Sequence, residues 1–210
     1  MPLPLLLLAA LAASDTLRIP VVSAPPNFDG AASEAKYGPP TVEIPRAAGT
    51  IRIWLRRDSA HVYIAAAIPD TTFYWGDDFV ISLDTWGDRA RAPEHDDFQW
   101  YFRRVLDSSV VFRGGYGSWH PPREDPDWRL GPGREEEGWE VRSRSDSAGW
   151  SVELRLDPAY FTQARGGLPG IAFRVFDDGP QGWFAWPVVP GIRQQAEVER
   201  RPALWAAVIP

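Results

Sequence analysis

An all-β antiparallel sandwich, jelly-roll-like and built of about ten strands, is the fold this sequence predicts. Three observations carry that reading. Apolar residues recur with a period of two, as in Val62, Ile64, Ala66 and Ile68, in Phe79, Ile81 and Leu83, and in Trp150, Val152, Leu154 and Leu156. That period places alternate side chains on the one buried face of a strand. Clusters of Pro, Gly and Asp punctuate the runs at short intervals, as turns between strands do. Finally, Asp157-Pro158 is the only clear helix start, a cap followed by proline at the first position, so at most one short helix, Pro158 to Gln163, is expected after the leader.

The first 14 residues, Met1 to Ser14, read as a secretory signal: the apolar run Leu3 to Ala13 is too short to span a bilayer and small residues follow it. No positive charge follows Met1. Residues 15–210 are expected to form one domain, secreted to the periplasm or the exterior, with no membrane span. Asp15 to Gly30 is extended and proline-rich and ends in the turn Asn27-Phe28-Asp29-Gly30. Thr41 to Ile44 is a short edge strand closed by Pro45. Ile51, Ile53 and Leu55 alternate with Arg52, Trp54 and Arg56, which predicts a half-exposed strand in a hairpin with His61 to Ile68. Asp78 to Asp84 follows an aromatic and acidic tip, Phe73 to Asp78. Phe98, Trp100 and Phe102 resume the alternation, Val110 and Phe112 continue it, and Gly114 to Glu137 reads as a long loop. Trp139 to Arg144, Gly149 to Leu156, Ile171 to Val175, Trp183 to Val189 and Leu204 to Ile209 complete the strands.

Composition narrows the function. A net charge of −6 speaks against nucleic acid as a partner, because a phosphate backbone needs a basic surface. The absence of cysteine removes disulfides, thiol catalysis, Cys-type zinc and iron–sulfur chemistry. His61, His95 and His120 share no metal-binding spacing, and no Gly-x-Ser-x-Gly, His-Glu-x-x-His or phosphate-cradling loop is present.

Eleven tryptophans are more than a core of this size needs. Trp75, Trp86, Trp119, Trp128 and Trp183 fall in loops or at strand ends, where a ring either plugs the end of the sandwich or offers its face to a sugar, a base or a cation. Acidity disfavours bases and export favours glycans. Three carboxylate doublets, Asp77-Asp78, Asp96-Asp97 and Asp177-Asp178, flank strand ends and so could converge on one edge. There they would be solvated turn residues, acceptors for sugar hydroxyls or oxygen ligands of calcium. Glu140 and Glu153, mid-strand, are compatible with a glycosidase pair but unspecific. A contact with another protein of the cell envelope is a further use for exposed aromatics.

An ordered set of short motifs then resembles the family 9 carbohydrate-binding modules and the wider DOMON-like sandwiches. The set comprises Asn27-Phe28-Asp29-Gly30, Val62-Tyr63-Ile64-Ala65, Asp77-Asp78-Phe79-Val80-Ile81-Ser82-Leu83-Asp84, Gly149-Trp150-Ser151-Val152-Glu153, Asp157-Pro158, Gly170-Ile171-Ala172-Phe173-Arg174-Val175, Trp186-Pro187 and Leu204-Trp205. The resemblance covers residues 20 to 210. It implies a non-catalytic sandwich that clamps a sugar between two tryptophans, with a role in polysaccharide catabolism and calcium bound structurally. By position, Trp75 and Trp183 would be the clamp, Asp77, Asp78 and Asp177 its polar partners, and the inserted loop could supply Trp119 or Trp128 instead. Some DOMON-like sandwiches bind haem through methionine. Here the only methionine is Met1, inside the leader, so haem is not expected.

Overall fold

A computed structural model describes residues 16–74, 76–104, 108–120, 133–134, 138–177, 182–192 and 195–210. The leader, Trp75, Trp128, Asp178 and, within the predicted long loop, residues 121–132 and 135–137 therefore lie outside the described residues. In chain order the elements are β1 (Thr16–Arg18), α1 (Glu34–Tyr37), β2 (Val42–Ile44), β3 (Ile51–Arg57), β4 (Val62–Pro69), β5 (Asp78–Asp84), β6 (Asp97–Arg103), β7 (Ser108–Gly115), β8 (Ser118–His120), β9 (Gly133–Arg134), β10 (Trp139–Ser145), β11 (Gly149–Leu156), α2 (Ala159–Thr162), β12 (Gly170–Asp177), β13 (Gly182–Trp186) and β14 (Ala206–Ile209).

They form two sheets. One has six strands in the order β2-β3-β4-β11-β10-β9; the other has eight, ordered β1-β14-β12-β5-β6-β7-β8, with β13 beside β12. Among the described strands the pairings are antiparallel except β1 with β14. The all-β sandwich is as the alternation predicts, because each run of period two buries one side against the facing sheet. Phe79 stacks with Phe102 and Phe173, ring centroids 6.1 and 6.2 Å away, and shares one core cluster with Ile64, Leu154 and Leu156 of the other sheet.

Four details differ from expectation. The strands number fourteen among the described residues, because short ones form in the leading extended stretch (β1) and within the predicted long loop (β8 and β9). Two helices of four residues occur rather than one, along with 3-10 turns at Gln195–Arg200 and Pro202–Leu204. The start of the predicted long loop is a hairpin: Gly115 pairs with Ser118, and Tyr116 and Gly117 turn the chain at φ 50° and 76°, the two positive values a two-residue turn of this hand requires. And β3 is buried on both faces from Ile53 to Arg56, with Arg52 exposed, because residues 30 to 40 fold over its outer side.

Glu153 holds that cover in place. On β11 it points away from the sandwich core, yet it is buried. Its carboxylate accepts hydrogen bonds from Asp29 N (2.9 Å), Gly30 N (2.7 Å), the Tyr37 hydroxyl (2.7 Å) and the Lys36 ammonium. Tyr37 stacks on Trp54. Gly30 has φ 84°, and a Cβ there would stand 2.7 Å from the Ser143 carbonyl, so only glycine admits this approach. The one lysine of the chain is thus an internal counter-ion. Ringed by donors and closed to solvent, Glu153 is not placed to act on a glycoside.

Glu153→Ala should cost about 3 kcal/mol or more, the scale for removing one partner of a buried charge network. Equilibrium denaturation measures this; a loss below about 1 kcal/mol, the worth of one ordinary hydrogen bond, would show that the cover is held without it.

Candidate functional site

The carboxylate doublets do not converge on one edge. Because β5 and β6 are antiparallel, Asp77-Asp78 opens β5 at one end of the sandwich and Asp96-Asp97 opens β6 at the other. Asp177, at the end of β12, does join Asp77: Phe176 pairs with Asp78.

At that first end Asp70, Asp77 and Asp177 bring carboxylate oxygens within 4.8 Å of one another, all three buried. Two arginines answer them. The Arg104 Nη1 stands 2.8 Å from Asp70 Oδ2 and 3.7 Å from Asp77 Oδ2. Its other nitrogens donate to Ser145 Oγ (3.0 Å) and to the Asp146 carbonyl (3.4 Å). Arg46 forms an ion pair with Asp177 and donates to the Pro69 carbonyl; burial lowers its pKa. With two guanidinium groups already inside it, this cluster is a poor calcium site: its charge is largely met by protein.

Above it lies the outer face of the eight-stranded sheet. On strands the residues opposite the core ones share that face, here Asp78, Tyr101, Arg174, Phe176 and Trp183. Trp183 is 44% exposed. Its ring rests on Phe176, centroids 4.5 Å apart, and on the Arg174 guanidinium, 4.3 Å from its centroid. Arg174 is buried between Asp78 (3.3 Å) and Glu199, and Asp78 accepts the Tyr101 hydroxyl at 2.6 Å. Burial raises the pKa of Asp78 and of Glu199, with Arg174 opposing the rise in each. The segment before β5 reaches the same place: a Cβ on Gly76 would stand 3.5 Å from the Phe176 ring. Trp75 itself lies outside the described residues.

Of the predicted site residues, Trp183 offers an open ring. Asp77, Asp78 and Asp177 are 1%, 3% and 2% exposed: Asp78 pairs with Arg174 on the outer face, while Asp77 and Asp177 turn into the cluster with Asp70. Trp119 stacks in parallel on Trp205 (6.3 Å, 2°) and packs with Val198 and Ile192, plugging another part of the outer face. Trp86 is at the far end, under the Arg165 guanidinium at 4.0 Å. Sequence reasoning missed Arg174, Phe176 and Glu199. A charged residue in the middle of Ile171–Val175 was the available signal, since a buried arginine needs partners.

No protein-family model and no curated protein sequence matches the chain. Solved structures do. A family 9 carbohydrate-binding module from Caldicellulosiruptor kristjanssonii, in complex with cellotriose, superposes with a TM-score of 0.60 at 14% sequence identity, covering 92% of this chain and 92% of that one. A second structure of such a module from the same organism, in complex with glucose, gives the same score and identity and covers 92% and 94%. The fold is that of a family 9 carbohydrate-binding module.

If Arg104 is the clamp its contacts describe, Arg104→Met and Asp70→Asn will not be additive. A double-mutant cycle in urea should give a coupling of about 1–3 kcal/mol, as for contacting buried charges; additive effects would remove the pair as a determinant of this end.

Proposed function

We propose that the chain is a secreted, non-catalytic carbohydrate-binding domain whose sugar lies on the outer face of the eight-stranded sheet, at Trp183. The observation that carries the reading is an open indole ring backed by a buried, doubly paired arginine. Such a ring is a flat apolar platform already fixed in position, suited to the C–H face of a pyranose, and little side-chain entropy remains to be lost when a ligand docks. Trp75, one residue before the glycine that abuts Phe176, is the proposed opposing ring, and the inserted loop with Trp128 is a further source of contacts. The fold is shared with modules in complex with cellotriose and glucose, so β-glucans are the first ligands to try. A role in polysaccharide breakdown follows if a soluble glucan is the ligand.

The test is titration with glucose and cello-oligosaccharides, followed by tryptophan fluorescence and calorimetry. Binding is expected. Trp183→Ala should weaken it about tenfold, the effect of losing one stacked ring worth about 1.4 kcal/mol, and Trp75→Ala should do the same. Unchanged affinity in the Trp183 variant would move the site elsewhere; absence of binding across a glycan panel, with a co-purifying protein instead, would replace the sugar by a protein partner.

A further inference from the structure

The end of the sandwich remote from Trp183 carries a groove of its own. β5 alone, seven residues long with a rise of about 3.3 Å each, holds the two ends about 20 Å apart. At the far end the segment after β5, the start of β6, Arg113 of β7 and α2 enclose a cavity of about 410 Å³. That lies within the range of about 300–1,000 Å³ that small-molecule sites occupy. A smaller cavity of about 240 Å³ continues it toward β10 and β11, and Gly138 and Asp157 line both.

One wall of the larger cavity is aromatic and already fixed in place. Tyr160 meets Phe98 edge-on, centroids 5.1 Å apart. Trp86 carries the Arg165 guanidinium 4.0 Å from its centroid and meets His95 edge-on at 4.6 Å. Its carbonyl accepts the amides of Arg165 (2.8 Å) and Gly166 (3.0 Å). The loop behind it is braced by its own acids. Asp84, Asp88 and Asp96 bring oxygens within 4.8 Å of one another and accept the amides of Gly87 (2.6 Å), Ala90 (3.1 Å) and Trp86 (3.3 Å). Arg89 ties the same loop to the Trp205 carbonyl (2.5 Å).

The rim mixes donors with acceptors. Arg113 is exposed, packs its guanidinium over Phe98 at 5.0 Å, and makes no ion pair with another described residue. Gln163, also exposed, adds an amide. Asp157 stands between the two cavities, and one of its oxygens accepts the Ala159 amide at 2.7 Å. In the smaller cavity Glu140 pairs with Arg155. A ligand of one charge would meet its like along this rim. The strands that line the groove are paired on both sides, β6 with β5 and β7, and β7 with β8. Among the described residues they therefore offer an extended peptide no strand edge to pair with.

We propose that this groove is a second binding site, for a short stretch of an uncharged polysaccharide chain. The aromatic wall takes the C–H face of a pyranose ring. Arg113 and Gln163 donate to its oxygens, and Asp157 accepts a hydroxyl proton where the chain passes Gly138 into the smaller cavity. Hydroxyl groups both donate and accept, which matches a rim of mixed polarity. The groove stands on its own residues and does not depend on the Trp183 platform. With both ends occupied, one domain bridges two chains, and bivalent attachment favours a polymer over a short oligosaccharide.

Calorimetric titration of the whole chain with cellotetraose separates the two ends. The unaltered chain should take up two molecules, and Trp183→Ala one. In that Trp183→Ala background, Arg113→Ala combined with Gln163→Ala should weaken the remaining site about tenfold or more, as the loss of hydrogen bonds to the ligand does. Both positions are exposed, so the melting temperature should hold. Binding that survives Trp183→Ala in full and is lost in the Arg113 and Gln163 pair would support the groove and remove the Trp183 platform. A single site that vanishes with Trp183→Ala overturns the groove and leaves that platform standing. A remaining site indifferent to the pair, or no binding by any variant, also overturns it.

Discussion

The buried Arg104 guanidinium is the interaction on which the Trp183 end of the molecule depends. It follows the last residue of β6 in the eight-stranded sheet, yet its partners belong largely to the six-stranded one: Asp70 after β4, and Ser145 and Asp146 at the turn between β10 and β11. Its backbone N–H also donates to the Asp77 carbonyl at 3.2 Å. Sheets packed through apolar faces can slide, because dispersion and hydrophobic contact are non-directional; a planar guanidinium with fixed donors cannot be satisfied in a shifted register. Arg104 therefore sets where β5 begins relative to β4. That in turn sets where Gly76 meets Phe176.

The layers were legible in the sequence; the covers over them were not. Period two identified the core faces of β4, β5, β11 and β12 because every second residue there is apolar, whatever lies outside. It failed for the outer faces of β3 and β5. Trp54 and Asp78 read as exposed because nothing in a strand's own pattern reports that another segment will fold across it. Those covers are irregular: residues 30 to 40 are fixed by hydrogen bonds to the Glu153 carboxylate and from the side chains of Trp54, Arg56 and Ser151, and Val189, Ile192 and residues 198 to 205 by packing that includes Trp119, Trp205 and Val198. Both are long-range contacts without period.

The same limit explains the site. Trp183 was identified as an aromatic at a strand end, and its ring is open. The aspartates were identified as acids near it, and they are near it, but a doublet on a strand sends its two side chains to opposite faces. Asp77 turns into the inter-sheet cluster and Asp78 toward Arg174, and neither meets solvent. Proximity in sequence placed them at the Trp183 end of the sandwich but not on its surface.

The two acidic clusters show why charge balance says more than acidity. Each has three aspartates with oxygens within the same distance of one another. At the Trp183 end the chain supplies two arginines, and their donors tie together the ends of β2, β4, β6 and β12, so the acids serve as internal struts. At the far end the chain supplies amides, which orient the oxygens without neutralising them. The arginines there are spent on carbonyls and on an indole face. A buried carboxylate needs a cation or a proton, and among the described residues the first cluster alone is met by arginines. Reading the acids alone makes the clusters equivalent; reading what faces them separates them.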